Sequence, residues 1–92
     1  MIINFKHKGL RRLFTSGISS GVDPHHADRI RRMLALLETS ETPKDMDLPG
    51  LDLHALKGNR KGTWTVKVSG NWRITFKFQN GDAFEINYED YH

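Results

Sequence analysis

The stretch Trp64-Thr65-Val66-Lys67-Val68-Ser69-Gly70-Asn71-Trp72-Arg73-Ile74-Thr75-Phe76-Lys77-Phe78-Gln79-Asn80-Gly81-Asp82 decides the fold. Trp64, Val66 and Val68 alternate with Thr65, Lys67 and Ser69, and then Trp72, Ile74, Phe76 and Phe78 alternate with Arg73, Thr75, Lys77 and Gln79. A period of two predicts half-buried strands, apolar toward a core and polar or basic on the other side. Asn80-Gly81 tolerates positive φ at both central residues of a tight turn, so a hairpin is expected there. The strand that follows is expected to send Phe84, Ile86 and Tyr88 to the core.

Upstream the period changes. Met1–Phe5 is β-branched and apolar enough for a short strand. Leu10, Leu13 and Phe14 then fall at helical spacing, with Gly17 as a C-terminal cap. Asp23-Pro24 supplies an N-cap and a proline for the first helical position, and Ala27, Ile30, Leu34 and Leu37 form one apolar stripe, predicting a second helix over 24–38. Arg29, Arg32 and Asp28 read as its solvated face, and His25-His26 as exposed residues rather than ligands. Two prolines and a glycine make 41–50 a connection with at most a turn of helix. Strand, two helices and an antiparallel meander define an α+β fold, with the helices on one face of the sheet.

Ninety-two residues suit one domain spanning 1–92. Mean hydropathy is −0.59, and no run approaches the roughly 20 apolar residues of a spanning helix, so a membrane protein is excluded. The segment MIINFKHKGL lacks the charged-then-apolar profile of a secretory signal, and a cytoplasmic location is expected. The absence of cysteine removes disulfides and thiolate nucleophiles. Net charge is only +3, yet residues 53–81 carry Lys57, Arg60, Lys61, Lys67, Arg73 and Lys77 with no acid, while 38–52 is acidic. Such segregation predicts either a positive surface suited to a polyanion or a solvated sheet face.

Three groups of residues offer chemistry. His54 and Lys57 precede the basic, glycine-flanked loop Gly58-Asn59-Arg60-Lys61-Gly62, which reads as a polar turn or as a loop that approaches phosphate. Arg73 sits on the polar side of its strand with Lys67 and Lys77, placed for bidentate phosphate contact or for pairing with Glu85 or Glu89. The terminal run Asn87-Tyr88-Glu89-Asp90-Tyr91-His92 ends a strand, so it is expected to be pinned in the sheet. Asp90 and His92 share parity with Tyr88, Tyr91 shares parity with Glu89, and a bulge would reverse both. An imidazole that moves protons, cations that hold phosphate oxygens and a 2′-hydroxyl in the substrate suffice for RNA cleavage without a metal or cofactor. His25-His26 lacks a third metal ligand, GISSG misses the nucleophile-elbow spacing, and no glycine-rich nucleotide loop is present.

Taken in order, FKHKGL, SGV before the leucine-striped helix, LHALKGNRKGTW, NWRITFKF, NGDAF and NYEDYH resemble the HigB branch of the RelE superfamily across almost the whole chain. The block L-K-G-x-R-x-G followed by N-W-R-I-T-F carries the superfamily likeness, and H-x-L-K with E-D-Y-H points to this branch; residues 41–52 match least. The resemblance implies a small RelE-like fold, a curved, mainly antiparallel sheet with helices on one side. It implies a toxin of a type II toxin–antitoxin pair that cuts mRNA in the ribosomal A site. It also implies a HigA-type helix-turn-helix antitoxin, with operator DNA reached only through the complex. The matching site falls on His54, Lys57, Arg73, Asp90, Tyr91 and His92, with Arg60, Lys61, Lys67 and Lys77 expected to meet RNA phosphates. The rival reading is a noncatalytic RNA- or ribosome-binding module on the same sheet. A DNA-binding regulator is disfavoured, because neither helix reads as a recognition helix.

Overall fold

In the computed structural model, which describes residues 1–91, Asn80 and Gly81 adopt φ of 54° and 82°, and the hairpin forms where the sequence requires it. Four strands, β1 (His54–Ala55), β2 (Trp64–Ser69), β3 (Trp72–Gln79) and β4 (Asp82–Asp90), make one antiparallel sheet in sequence order. Val66, Ile74 and Tyr88 lie in register on one face; Thr65, Thr75 and Asn87 lie in register on the other. The N-terminal segment pairs in parallel with β4 through Ile2 with Ala83 and Phe5 with Ile86, two bridges rather than the continuous strand expected over Met1–Phe5.

Phe84 does not reach the core. The register shifts between Thr75 and Lys77 because β4 carries an extra residue at Glu85, whose φ of 51° marks the bulge. A bulge reverses parity on its far side. Ala83, fully buried opposite Phe78, therefore takes the core position, and Phe84 lies half-buried opposite Lys77.

Helix α1 (Lys8–Ser16) starts where His7 Nδ1 accepts from the Leu10 amide at 3.2 Å and stops where Gly17 turns left-handed at φ 73°. Helix α2 (Ala27–Thr39) begins three residues later than expected. The Asp23 carboxylate accepts from the His25 amide at 2.8 Å and the His26 amide bonds to the Asp23 carbonyl at 2.9 Å, closing a turn instead of capping a helix at Pro24. That delay turns His26 inward, against the exposed position read from sequence. It is buried, with Nδ1 2.6 Å from the Tyr88 hydroxyl, whereas His25 is exposed. Arg29 likewise leaves the solvated face and donates to the carbonyls of Gly50 (2.8 Å) and Lys67 (3.1 Å), tying α2 to the sheet side of the connection.

One hydrophobic cluster joins Leu10, Ile30, Leu34 and Leu37 of the helices to Ile74, Phe76 and Ile86 of the sheet. Burial of each such side chain contributes roughly 1.5–3 kcal/mol. A short 3₁₀ turn, Pro43–Met46, drops Met46 into the same cluster. Gly9 and Gly21 let α1 meet the α1–α2 connection backbone to backbone: a Cβ on Gly9 would lie 2.4 Å from the Gly21 carbonyl oxygen. Gly9→Ala is expected to cost about 1–3 kcal/mol, as overpacking does, and each kcal/mol lowers the melting temperature of a domain this size by about 4–8 °C. An unchanged melting temperature would show that the two segments separate without cost.

No helix among the described residues is long and apolar enough to cross a membrane.

Candidate active site

The helices cover one face of the sheet, and the chemistry collects on the other. On β3, Arg73, Thr75 and Lys77 share that open face by the period of two, with Lys67 and Glu89 opposite Arg73 on the neighbouring strands. Asp52 arrives beside them because the Lys67 amide bonds to the Leu51 carbonyl at 2.7 Å, extending the β1–β2 pairing backward. Its carboxylate lies 3.4 Å from Arg73 Nη1 and 3.4 Å from His54 Nδ1, so one acid bridges a guanidinium and an imidazole. The His54 Nδ1 also lies 3.0 Å from the Asp52 carbonyl oxygen. A carbonyl only accepts, so Nδ1 carries the proton and, in the neutral ring, Nε2 carries the lone pair.

A second acid organises the basic loop. Glu89 receives a fork from Arg60 at 3.1 and 2.7 Å and a hydroxyl from Thr75 at 2.9 Å. The fork to Arg60 holds the Glu89 carboxyl below the ordinary glutamate value of 4.5, against a smaller opposing effect of burial. The same hydrogen bonds raise the Arg60 guanidinium. A depressed carboxyl stabilises the fold fully above its unfolded pKa, and that stability drains away as pH falls through the lower folded value. Glu89→Gln is therefore expected to have a shallower loss of melting temperature below pH 4.5 than the wild type. Parallel acid limbs in the two proteins would rule out a pH-dependent contribution from the pair.

The positive surface expected from residues 53–81 is interleaved with acids. Lys77 pairs with Glu85 at 2.9 Å, Arg60 with Glu89, and Arg73 with Asp52 rather than with Glu85 or Glu89. Lys57, Lys61 and Lys67 are exposed and make no ion pair among the described residues.

Among the residues singled out from sequence, His54, Arg73 and Lys67 meet on the open face, and Lys57 opens the 3₁₀ turn Gly58–Arg60 that brings Arg60 to Glu89. Asp90 pairs with Trp72 on β3 and shares a shallow cavity with Trp72, Tyr88 and Asp23 on the helix side. Tyr91 is 44% exposed, and its amide bonds to the Asn71 carbonyl at 2.7 Å, which pins the strand end as expected. His54 and Asp90 stand on opposite edge strands of the four-stranded sheet, with β2 and β3 between them, and Asp90 lies three residues beyond Asn87, the residue in register with His54. His92 lies outside the described residues. Asp52 was missed, and Glu89 was foreseen only as a partner of Arg73. Asp52 lies outside β1 at φ 51°, so strand alternation did not place it beside His54; Glu89 holds Arg60, 29 residues away, rather than the Arg73 it was weighed against.

An open sheet face that sets one histidine and several cations around two bridging carboxylates, behind a two-helix layer, is the frame of a small RelE-like α+β protein. Residues 3–92 match the family model described as the RelE-like toxin of the type II toxin–antitoxin system HigB, and the chain belongs to that HigB-like toxin family. It is 49% identical, over all of both chains, to a Proteus vulgaris protein named endoribonuclease HigB.

Proposed function

We propose that this toxin is an endoribonuclease that cuts mRNA in the ribosomal A site, using the substrate's own 2′-hydroxyl as nucleophile. Family membership and the likeness to a named endoribonuclease support RNA cleavage. The observation that carries the site assignment is the Asp52 bridge, which holds a proton carrier and a phosphate ligand side by side on the open face.

In this mechanism His54 Nε2 takes the proton from the ribose 2′-hydroxyl, and the oxygen forms a bond to the adjacent phosphorus. The bond from phosphorus to the 5′-oxygen breaks, and that oxygen is protonated by a second imidazole, assigned to His92. Arg73 and Lys57 stabilise the charge that builds on the non-bridging oxygens. Asp90 is the carboxylate assigned to favour an imidazolium, and Tyr91, exposed at the strand end, stacks on a base of the unpaired RNA. No step calls for a metal or a cofactor. Arg60, Lys61, Lys67 and Lys77 meet RNA phosphates, an attraction that weakens with salt.

A type II toxin has a cognate antitoxin; here we assign a HigA-type helix-turn-helix protein, through which the pair reaches operator DNA. The site of action is the cytoplasm, where ribosomes translate.

The test is a defined mRNA programmed in purified ribosomes with an empty A site, the cut mapped by primer extension, and ribosome-free RNA as control. Cutting within the A-site codon, on ribosomes only, is the expected result. Tight ribosome binding by folded protein with no cut would favour a noncatalytic binding module instead.

A further inference from the structure

Beside the Asp52 bridge, further along the open face, lies a separate cleft of about 210 Å³. Lys6, Asn59, Arg60, Lys61, Lys77 and Glu85 form its walls, and the buried Thr63 and Thr75 complete the lining. These residues come from the N-terminal segment, the basic loop and two strands, so only the folded chain assembles them. Four cations face two carboxylates, Glu85 and Glu89, an excess of two positive charges.

The two acids fix the cations in place. Glu89 holds Arg60 by its fork, and Glu85 holds Lys77 at 2.9 Å. Glu85 reaches Lys77 because the bulge puts it at φ 51°, a conformation disfavoured for a residue with a Cβ, and the Asn4 side chain secures it by accepting from its amide at 2.7 Å. Strain kept in place by a dedicated clamp points to a use for the arrangement. Asn59 and Lys61 add a polar amide and a charge without an ion pair among the described residues.

We propose that this cleft is a phosphodiester subsite for RNA, distinct from the cutting centre, with Lys6 and Lys61 supplying the two cations outside its ion pairs. Resting on the endoribonuclease reading, it extends that reading to Lys6, to which the FKHKGL motif gave no role. Lys77 stands four residues from Arg73 on the same face of β3, about 13 Å along the strand. That distance sets the Lys77 end of the cleft apart from Arg73, while its Arg60 wall lies nearer, forked to the Glu89 that stands opposite Arg73. The cleft therefore takes a phosphate next along the substrate strand or on ribosomal RNA.

The test compares the full chain with Lys6→Gln/Lys61→Gln and with a control pair, Arg32→Gln/Lys44→Gln, whose charges do not line the cleft. Affinity is measured against salt for two probes, a 2′-O-methylated single-stranded RNA that resists cutting and vacant ribosomes. All four side chains are exposed, so the fold is expected to persist. Loss of one phosphate contact lowers the slope of log affinity against log salt by about 0.7–0.9. The cleft pair is expected to show that drop, and the control pair to follow the wild type. A drop on the oligonucleotide assigns the cleft to the substrate strand; a drop on ribosomes assigns it to ribosomal RNA. Slopes equal to the control pair on both probes overturn the subsite. Wild-type cleavage on programmed ribosomes, measured in parallel, separates the two failures: its absence strikes the endoribonuclease reading, and its presence with unchanged slopes strikes only the cleft.

Discussion

Arg73→Ala is expected to slow cleavage of ribosome-bound mRNA by about 100- to 1,000-fold, the usual loss when one donor aimed at a developing oxyanion is removed. The effect should fall on the rate of the chemical step more than on binding, because the other cations of the open face still attract the RNA. Stability is expected to change little. The Arg73–Asp52 contact is a single 3.4 Å approach to a half-exposed carboxylate, and such pairs contribute about 0–1 kcal/mol. Arg73→Lys keeps the charge but loses the planar fork, so it should recover only part of the rate. Single-turnover cleavage beside a thermal melt checks both halves. A variant that cuts within threefold of the wild type would remove Arg73 from the chemistry.

Phe76→Ala is expected to cost about 3–5 kcal/mol. Phe76 is the largest of the fully buried side chains and sits in the middle of β3, in the one hydrophobic cluster that joins the helices to the sheet. The total stability of a domain is commonly only about 5–15 kcal/mol, so this one truncation would consume much of it. A urea melt should show a large fall in midpoint with little change in slope. A loss below about 1 kcal/mol would mean that the helices collapse into the space, a degree of repacking that cores of native density rarely permit.

The two substitutions differ because they test different links. Phe76 is legible from sequence as a core residue, since the period of two leaves it no other face. Arg73 is legible as polar-face and basic, but its partner is not: the sequence allowed Glu85 or Glu89, and the fold supplied Asp52. Backbone accounting explains this. The Leu51 carbonyl accepts from the Lys67 amide, which carries the connection one pairing further than β1 itself and sets Asp52 across the face from Arg73.

Local chemistry also failed at three places for identifiable reasons. Asp23-Pro24 is a sound helix start, yet the aspartate satisfied the His25 amide first and the helix began at Ala27, which turned His26 onto Tyr88. Alternation in β4 broke at Glu85, whose amide is held by Asn4, 81 residues away in sequence, so Phe84 and Ala83 exchanged roles. Met1–Phe5 is strand-like, but its partner β4 is bulged at the point of pairing, and the pairing is reduced to two bridges.

By itself the sequence determined the hairpin meander, the two apolar helix stripes, the segregation of basic residues and, through its motifs, the RelE-like class. These are written in local spacing, where periodicity, turn residues and caps act within a few positions. The tertiary structure alone decided which carboxylate meets which cation: Asp52 with His54 and Arg73, Glu89 with Arg60, Glu85 with Lys77. Ion pairing depends on which side chains end up adjacent, and adjacency on a sheet is set by register and bulges, which the charges themselves are too weak to dictate.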